Sequence, residues 1–224
     1  MIKHMDFKKM KRGIATLVAL VVCMSASAQF GQEVRRGSFA DNHEIYYGLR
    51  LGLGLANVNS DDKRLDGGDT QAGLNIGGVI GFQLSPSAPV YLESGLFYTE
   101  KGGKGNNPEG GSKFTYSLNY FEMPVLIKYR YELDDDLSIQ PFAGGYLAIG
   151  VGGKMKDYGA REVKSSFSDN FFKRFDGGLK IGCGMEYQLI YGELAYDFGL
   201  ANICHSEFES SHTGCLYLNL GVNF

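Results

Sequence analysis

The sequence predicts an all-β protein, an eight-stranded antiparallel transmembrane β-barrel of the outer-membrane type, preceded by a cleavable signal peptide. Three observations carry this expectation. Apolar residues recur at every second position in eight separate segments, the period of a strand whose two faces meet different surroundings. The connections between those segments alternate between short and long, as in barrels with tight turns at one rim and long loops at the other. The face opposite the apolar one carries glycine, tyrosine and charged residues, a mixture suited to the inside of a narrow cylinder.

At the N-terminus, Lys3, Lys8, Lys9, Lys11 and Arg12 precede the apolar run IATLVALVVCM, and Ala26-Ser27-Ala28 stands before Gln29. A basic start, a short apolar centre and an A-x-A end predict a signal peptide over residues 1–28. The run is too short for a membrane anchor, and Val21 and Val22 before Cys23 do not fit a lipoprotein signal. Residues 29–42 are expected to form a loose periplasmic tail and residues 43–224 the barrel domain. Removing the signal peptide leaves 17 Lys and Arg against 24 Asp and Glu, a net charge of −7. That balance argues against a nucleic-acid partner, which needs cations for phosphates.

The first segment, residues 45–57, sets Leu49, Leu51, Leu53 and Leu55 against Gly48, Arg50, Gly52 and Gly54. The second, 72–84, reads AGLNIGGVIGFQL and ends at Ser85-Pro86-Ser87-Ala88-Pro89, a turn. The third, 90–101, alternates Leu92, Leu96 and Tyr98 with Tyr91, Glu93, Phe97 and Thr99. The fourth, about 115–131, sets Phe121, Met123, Val125 and Ile127 against Tyr120, Glu122, Leu126, Lys128 and Arg130. In the fifth, 139–152, Leu147, Ile149 and Val151 are expected outward, with Phe142, Gly144 and Tyr146 inward. The sixth, 173–187, sets Leu179, Ile181 and Met185 against Asp176, Lys180 and Glu186. The seventh, 190–200, sets Leu194, Tyr196 and Phe198 against Tyr191, Glu193, Ala195 and Asp197. The eighth ends the chain with Leu216, Leu218, Leu220, Val222 and Phe224 on one face.

Each segment is long enough to cross a bilayer as a tilted strand of about 9–11 residues. Connections near 57–71, 102–114, 153–172 and 201–214 are long and polar; those near 85–89, 132–138 and 188–189 are short. An even strand number places both termini on the short-turn side, expected to be the periplasm. A secreted β-sandwich is the competing fold. It gives no reason for the long connections to alternate sides, and it would keep glycine off its buried faces.

Phe224 at the end of the chain, after Val222, Leu220 and Leu218, looks like the C-terminal signal that barrel-assembly machinery reads. The stretches LNYFEMPVLIKYRY (118–131), IQPFAGGYLAIG (139–150), FDGGLKIGCGMEY (175–187) and YGELAYDFGLANI (191–203) resemble the PorT-like outer-membrane β-barrel family. The resemblance implies an eight-stranded barrel in the outer membrane. One branch of that family assists a surface protein-secretion system. The resemblance supplies no catalytic residue.

A closed barrel of eight strands is just wide enough for side chains to fill, so glycines make room for large inward groups. The inward charges are Arg50, Lys128 and Lys180 against Glu93, Glu122, Asp176, Glu186, Glu193 and Asp197. Buried charges need partners. Glu93 and Lys128 each lie three residues from the short-turn rim, so they should meet. A two-residue turn at Gln188-Leu189 puts Lys180 opposite Asp197. Arg50, near mid-strand, is expected at the centre, bidentate to Glu122 or another carboxylate. With six acids to three bases, some acids should sit at wet rims, or water should fill part of the lumen. The network reads as structural; a proton or cation path is the sharper alternative, opposed by the size of the barrel.

Cys204 and Cys215 flank one connection and are candidates for a loop-stapling disulfide. Free thiols are the plain alternative. Cys204, His205, His212 and Cys215 could also form a Cys₂His₂ zinc set, without the usual CxxC anchor. The mature histidines are His43, His205 and His212, and no GxSxG frames a nucleophile, so an enzyme is not expected. Asp61, Asp62, Asp66 and Asp69 fit no EF-hand register and read as a solvated acidic loop. KGGKGNNPEGGSK (101–113) reads as a flexible surface loop rather than a phosphate cradle. No cofactor or metal is expected.

The resulting expectation is a monomeric, integral outer-membrane barrel with a filled interior. It would contact outer-membrane lipids and the assembly machinery, and serve as a structural or surface-interaction protein through four long extracellular loops. A subunit of a secretion or transport assembly is the alternative; a lipid-acting enzyme is a third. The sequence names no ligand.

Overall fold

The computed structural model describes residues 38–39, 43–60, 67–106, 113–157, 164–167, 172–203 and 211–224. Eight long strands follow in chain order: β1 His43–Ser60, β2 Gly67–Ser85, β3 Ala88–Asn106, β4 Lys113–Tyr129, β5 Leu137–Gly152, β6 Phe175–Tyr187, β7 Ile190–Gly199 and β8 Ser211–Asn223. Each pairs antiparallel with its chain neighbours. β8 pairs with β1 from Ser211↔Ser60 to Asn223↔Gly48. The sheet is therefore closed, and closure pairs the backbone groups that an open edge would expose to lipid.

Three tight turns mark one rim, at residues 86–87, 135–136 and 188–189. Gln188 sits in the left-handed region at φ 55°, and Tyr187 pairs with Ile190 across that turn. His43 and Phe224 lie at the same rim. Phe224 exchanges two 2.8 Å backbone hydrogen bonds with Tyr47, and their rings stack 6.4 Å apart. The long connections gather at the opposite rim, where Lys154–Asp157 pairs with both β4 and Lys164–Ser165. Before β1, Ser38–Phe39 pairs back on Glu44 and His43. The expected signal peptide lies wholly outside the described residues, as does the rest of the expected tail.

The leucine row of β1 faces outward, with Leu49, Leu53 and Leu55 between 43% and 49% exposed, while Arg50 opposite is 2% exposed. The same alternation runs round the barrel. An aliphatic band that includes Met123, Val125, Ile127, Leu179 and Leu218 covers the outer wall. Tyr47, Tyr129, Tyr131 and Tyr187 flank it towards the turn rim, and Phe121, Phe175 and Phe198 towards the loop rim. A continuous apolar belt between two aromatic girdles is the outer surface of a membrane-spanning barrel.

Inside, glycine makes room for rings. A Cβ on Gly81 would overlap the Tyr46 ring, and one on Gly184 the Tyr191 ring. Pro124 stands in mid-strand on β4. The β3–β4 ladder lapses there, between Ser94↔Val125 and Phe97↔Glu122, because proline has no N–H to give. Ser94 Oγ donates to the Pro124 carbonyl at 2.8 Å instead. The strands outrun the segments read from sequence. β3 continues to Asn106, so residues 101–106 of the expected surface loop are strand; 107–112 lie outside the described residues.

Candidate functional site

The barrel interior is a stack of three polar clusters closed by an apolar one. Nearest the turn rim, Arg130 holds Glu44 at 3.3 Å and lies 3.6 Å from Glu186. Its guanidinium lies 4.6 Å over the Tyr91 ring, and the Tyr91 hydroxyl donates to Glu44 at 2.5 Å. Gln140 and Asn223 both donate to Glu186.

The middle cluster centres on Glu93. It accepts from the Tyr46 hydroxyl at 2.6 Å and pairs with Lys128 at 2.8 Å. In register Lys128 is opposite Tyr91, and Glu93 is opposite Leu126, so the ion pair is diagonal, within reach of a long side chain. Arg50 approaches Glu93 at 3.8 Å, stacks over Tyr191 at 3.9 Å and donates to the Val222 carbonyl at 3.2 Å. Glu193 accepts from Tyr191 at 3.0 Å and from Asn219 at 2.8 Å.

The third cluster is the most tightly buried. Lys101, 1% exposed, lies 2.9 Å from Glu122, 3.1 Å from Asp197 and 3.5 Å from Asp176. Lys180 bridges Glu122 at 2.7 Å and Asp197 at 3.2 Å. Thr213 donates to Asp176 at 2.9 Å. The lysines face aromatic rings: Lys101 lies 4.2 Å from the centre of Tyr146, and Lys180 4.6 Å from that of Tyr217. Low local dielectric strengthens each of these pairs, and each carboxylate has a cation or hydrogen-bond donor within reach, as burial requires.

Above them the mouth is closed by Val58, Tyr116, Leu118, Tyr120, Phe172 and Ile203. Phe172 stacks on Tyr116 at 5.2 Å, and Phe167 meets Tyr120 edge-on at 5.9 Å. The apolar residues come partly from the connections: Lys173 N–H donates to the Ile203 carbonyl at 2.7 Å, which ties two connections together.

Two expected contacts form, Glu93 with Lys128 and Lys180 with Asp197, the latter directly opposite in register. The Arg50–Glu122 pairing does not. Glu122 lies nearer the loop rim, within reach of Lys101 and Lys180, and the Arg50 fork is shared among Glu93, a carbonyl and a ring. Lys101 was hidden by the glycine-rich stretch that follows it, although it continues the inward parity of Tyr91, Glu93, Phe97 and Thr99. Adding Lys101 and Arg130 to the bases and Glu44 to the acids gives five cations to seven carboxylates, so less of the acid excess needs a wet rim. The apolar mouth left a weaker trace, Phe167, Phe172 and Ile203 within largely polar connections.

Cys215 is a free, buried cysteine on the inner face of β8. Cys204, its expected partner, lies outside the described residues, as do His205, Asp61, Asp62 and Asp66; Asp69 belongs to β2. Among the described residues no group of three or more His, Cys, Asp or Glu side chains could hold a metal ion.

A closed eight-stranded barrel with a lipid-compatible wall and a filled centre defines an outer-membrane β-barrel protein. The outer membrane protein beta-barrel domain family matches residues 28–205, and the chain belongs to this family. Similar solved structures include a major outer membrane protein from Thermus thermophilus, at 13% identity over 80% of this chain and 99% of that one, with a TM-score of 0.51. Neisserial surface protein A is similar at 12% identity over 82% and 100%, TM-score 0.48. Ail, the attachment invasion locus protein of Yersinia pestis, solved with the heparin analogue sucrose octasulfate, is similar at 13% over 81% and 99%, TM-score 0.42. At these identities the likeness concerns the fold. No curated protein matches the chain.

Proposed function

We propose that this protein sits in the outer membrane as a monomer, with its turn rim and both termini in the periplasm. Its role is to present the loop rim as a surface-interaction platform, without acting as an enzyme or a pore. The observation that carries this reading is the stacked interior: three ion-paired clusters under an apolar seal leave the loop rim as the working face. Long strands support it, since 16 to 19 residues in β1 to β5 exceed the roughly 9–11 needed to span and carry the loops on a rigid stem.

Planar-bilayer recording and co-purification from native membranes test this together. The expected outcome is no stable conductance and a partner that is captured through the loop rim and lost when that rim is shaved by protease on whole cells. Stable channels abolished by Arg50→Ala would replace the platform with a transport path. Stoichiometric periplasmic partners would replace it with a subunit of a secretion assembly of the PorT-like kind.

A further inference from the structure

We propose that the outer wall binds one phosphorylated glycolipid of the leaflet at the loop rim. Its acyl chain lies in an apolar groove over β4, β5 and β6, and its phosphates meet a cationic rim above that groove. The inference rests on the orientation proposed above.

The apolar belt is hollowed where two outward glycines lie on neighbouring strands. The outward positions of β5 and β6 carry Gly145 and Gly177 where their neighbours carry Leu147 and Leu179. The result is a hollow of about 400 Å³, walled by Met123, Val125, Leu147, Phe175 and Leu200, with an almost wholly apolar surface. At Gly145 packing does not demand glycine. A Cβ at Gly145 would meet only the Gly178 carbonyl at 3.4 Å, an ordinary contact, unlike the overlaps that exclude a side chain at Gly81 or Gly184. The groove is therefore open space on a face that touches acyl chains, and an apolar hollow there is filled by a lipid tail rather than water.

The rim above the groove is basic. Lys173 is two residues from Phe175, about 7 Å along an extended chain, and is exposed on the loop side of the groove. Arg174 is exposed beside it, anchored by a 3.0 Å hydrogen bond from Nη1 to the Gly150 carbonyl. Lys154 is exposed on the loopward continuation of β5. None of the ion pairs among the described residues uses these three cations. Three cations outside those pairs, above a tail-sized hollow, fit a head carrying more than one phosphate better than a neutral head. A second copy of the chain fits worse, because a two-fold contact through the groove would bring these like charges together.

Native mass spectrometry of the folded protein from detergent, offered bisphosphorylated lipid A, phosphatidylglycerol and phosphatidylcholine at equal molarity, tests this. The expected result is a one-to-one lipid A adduct, held about tenfold or more tightly than phosphatidylcholine. Gly145→Leu fills the groove without backbone conflict and should weaken retention about tenfold. Lys154→Ser with Lys173→Ser should abolish the preference for lipid A over phosphatidylcholine while leaving phosphatidylcholine retention unchanged. Equal retention of all three lipids by the wild type, unchanged lipid A binding in Gly145→Leu, or a dimer in place of the adduct would each overturn the proposal. Labelling of Lys173 on whole cells reports the orientation separately. Surface labelling without a lipid adduct defeats this inference alone, and labelling only from the periplasm defeats both.

Discussion

Replacing Lys101 with methionine removes the cation on which the loop-rim cluster depends while keeping most of its volume. In the native barrel its ammonium lies within 2.9 to 3.5 Å of three carboxylates, and it is 1% exposed. At an effective dielectric near 20, a pair about 3 Å apart gains about 5 kcal/mol before desolvation is subtracted. The variant leaves Glu122 and Asp197 sharing Lys180 alone, and Asp176 with no cation, held by the Thr213 and Tyr146 hydroxyls and the Gly177 N–H. Breaking a buried pair in this way costs about 3–5 kcal/mol. With a urea dependence of about 2 kcal/mol per molar, the unfolding midpoint should fall by about 2 M. The chain has no tryptophan, so unfolding in lipid vesicles is followed by far-ultraviolet circular dichroism and by heat-modifiable gel migration. Lys104→Met, on an exposed side chain three residues further along the same strand, should move the midpoint little. If the two variants shift equally, Lys101 is not the hub, and the cluster does not hold this end of the barrel.

Three further outcomes follow from the same geometry. Leu53→Arg, in the middle of the exposed aliphatic band, should cost about 2–4 kcal/mol in bilayers, against about 0–1 for Leu133→Arg at the turn rim; equal costs in vesicle refolding would contradict a lipid-facing wall. Gly184→Val should lose about 1–3 kcal/mol from overlap with Tyr191. It should recover part of that loss when Tyr191 becomes leucine, a coupling read by a double-mutant cycle. Phe172→Ala opens the mouth and should destabilise by about 3 kcal/mol, with faster amide exchange at Tyr116, Leu118 and Tyr120; unchanged exchange there would show that the aromatic stack does not seal the barrel.

The barrel was legible because its two solvents differ so strongly. Leu49 to Leu55 alternate with Gly48 to Gly54 since one face meets hydrocarbon and the other a crowded axis, and period two survives tertiary context better than any propensity. Ion pairs between strands joined by a tight turn were legible as well, because the Gln188-Leu189 turn fixes the register of Lys180 on Asp197. Pairings across the lumen were not. Which inward charge meets which depends on the stagger of all eight strands, and that stagger brings Glu122 to Lys180 instead of Arg50. The groove by Gly145 was equally hidden, since a glycine in a strand reads the same whether it relieves a clash or leaves a hollow.

The height of the strands explains why the seal and the charges belong together. Phe121 marks the loop-rim girdle on β4, and Tyr116, Leu118 and Tyr120 lie beyond it towards the loops, pointing inward. The barrel therefore continues past the membrane into water, where its interior would flood if left open. Flooding would raise the dielectric around Lys101, Lys180 and their three carboxylates and weaken every pair by the same screening that makes surface ion pairs nearly neutral. Phe172 and Ile203, carried in from the connections, close that route, and in doing so they fix the connections to the rim at two points. A seal built from the loops makes part of the loop-rim surface rigid. A partner meeting a rigid surface loses less conformational freedom on binding than one that must first order flexible loops.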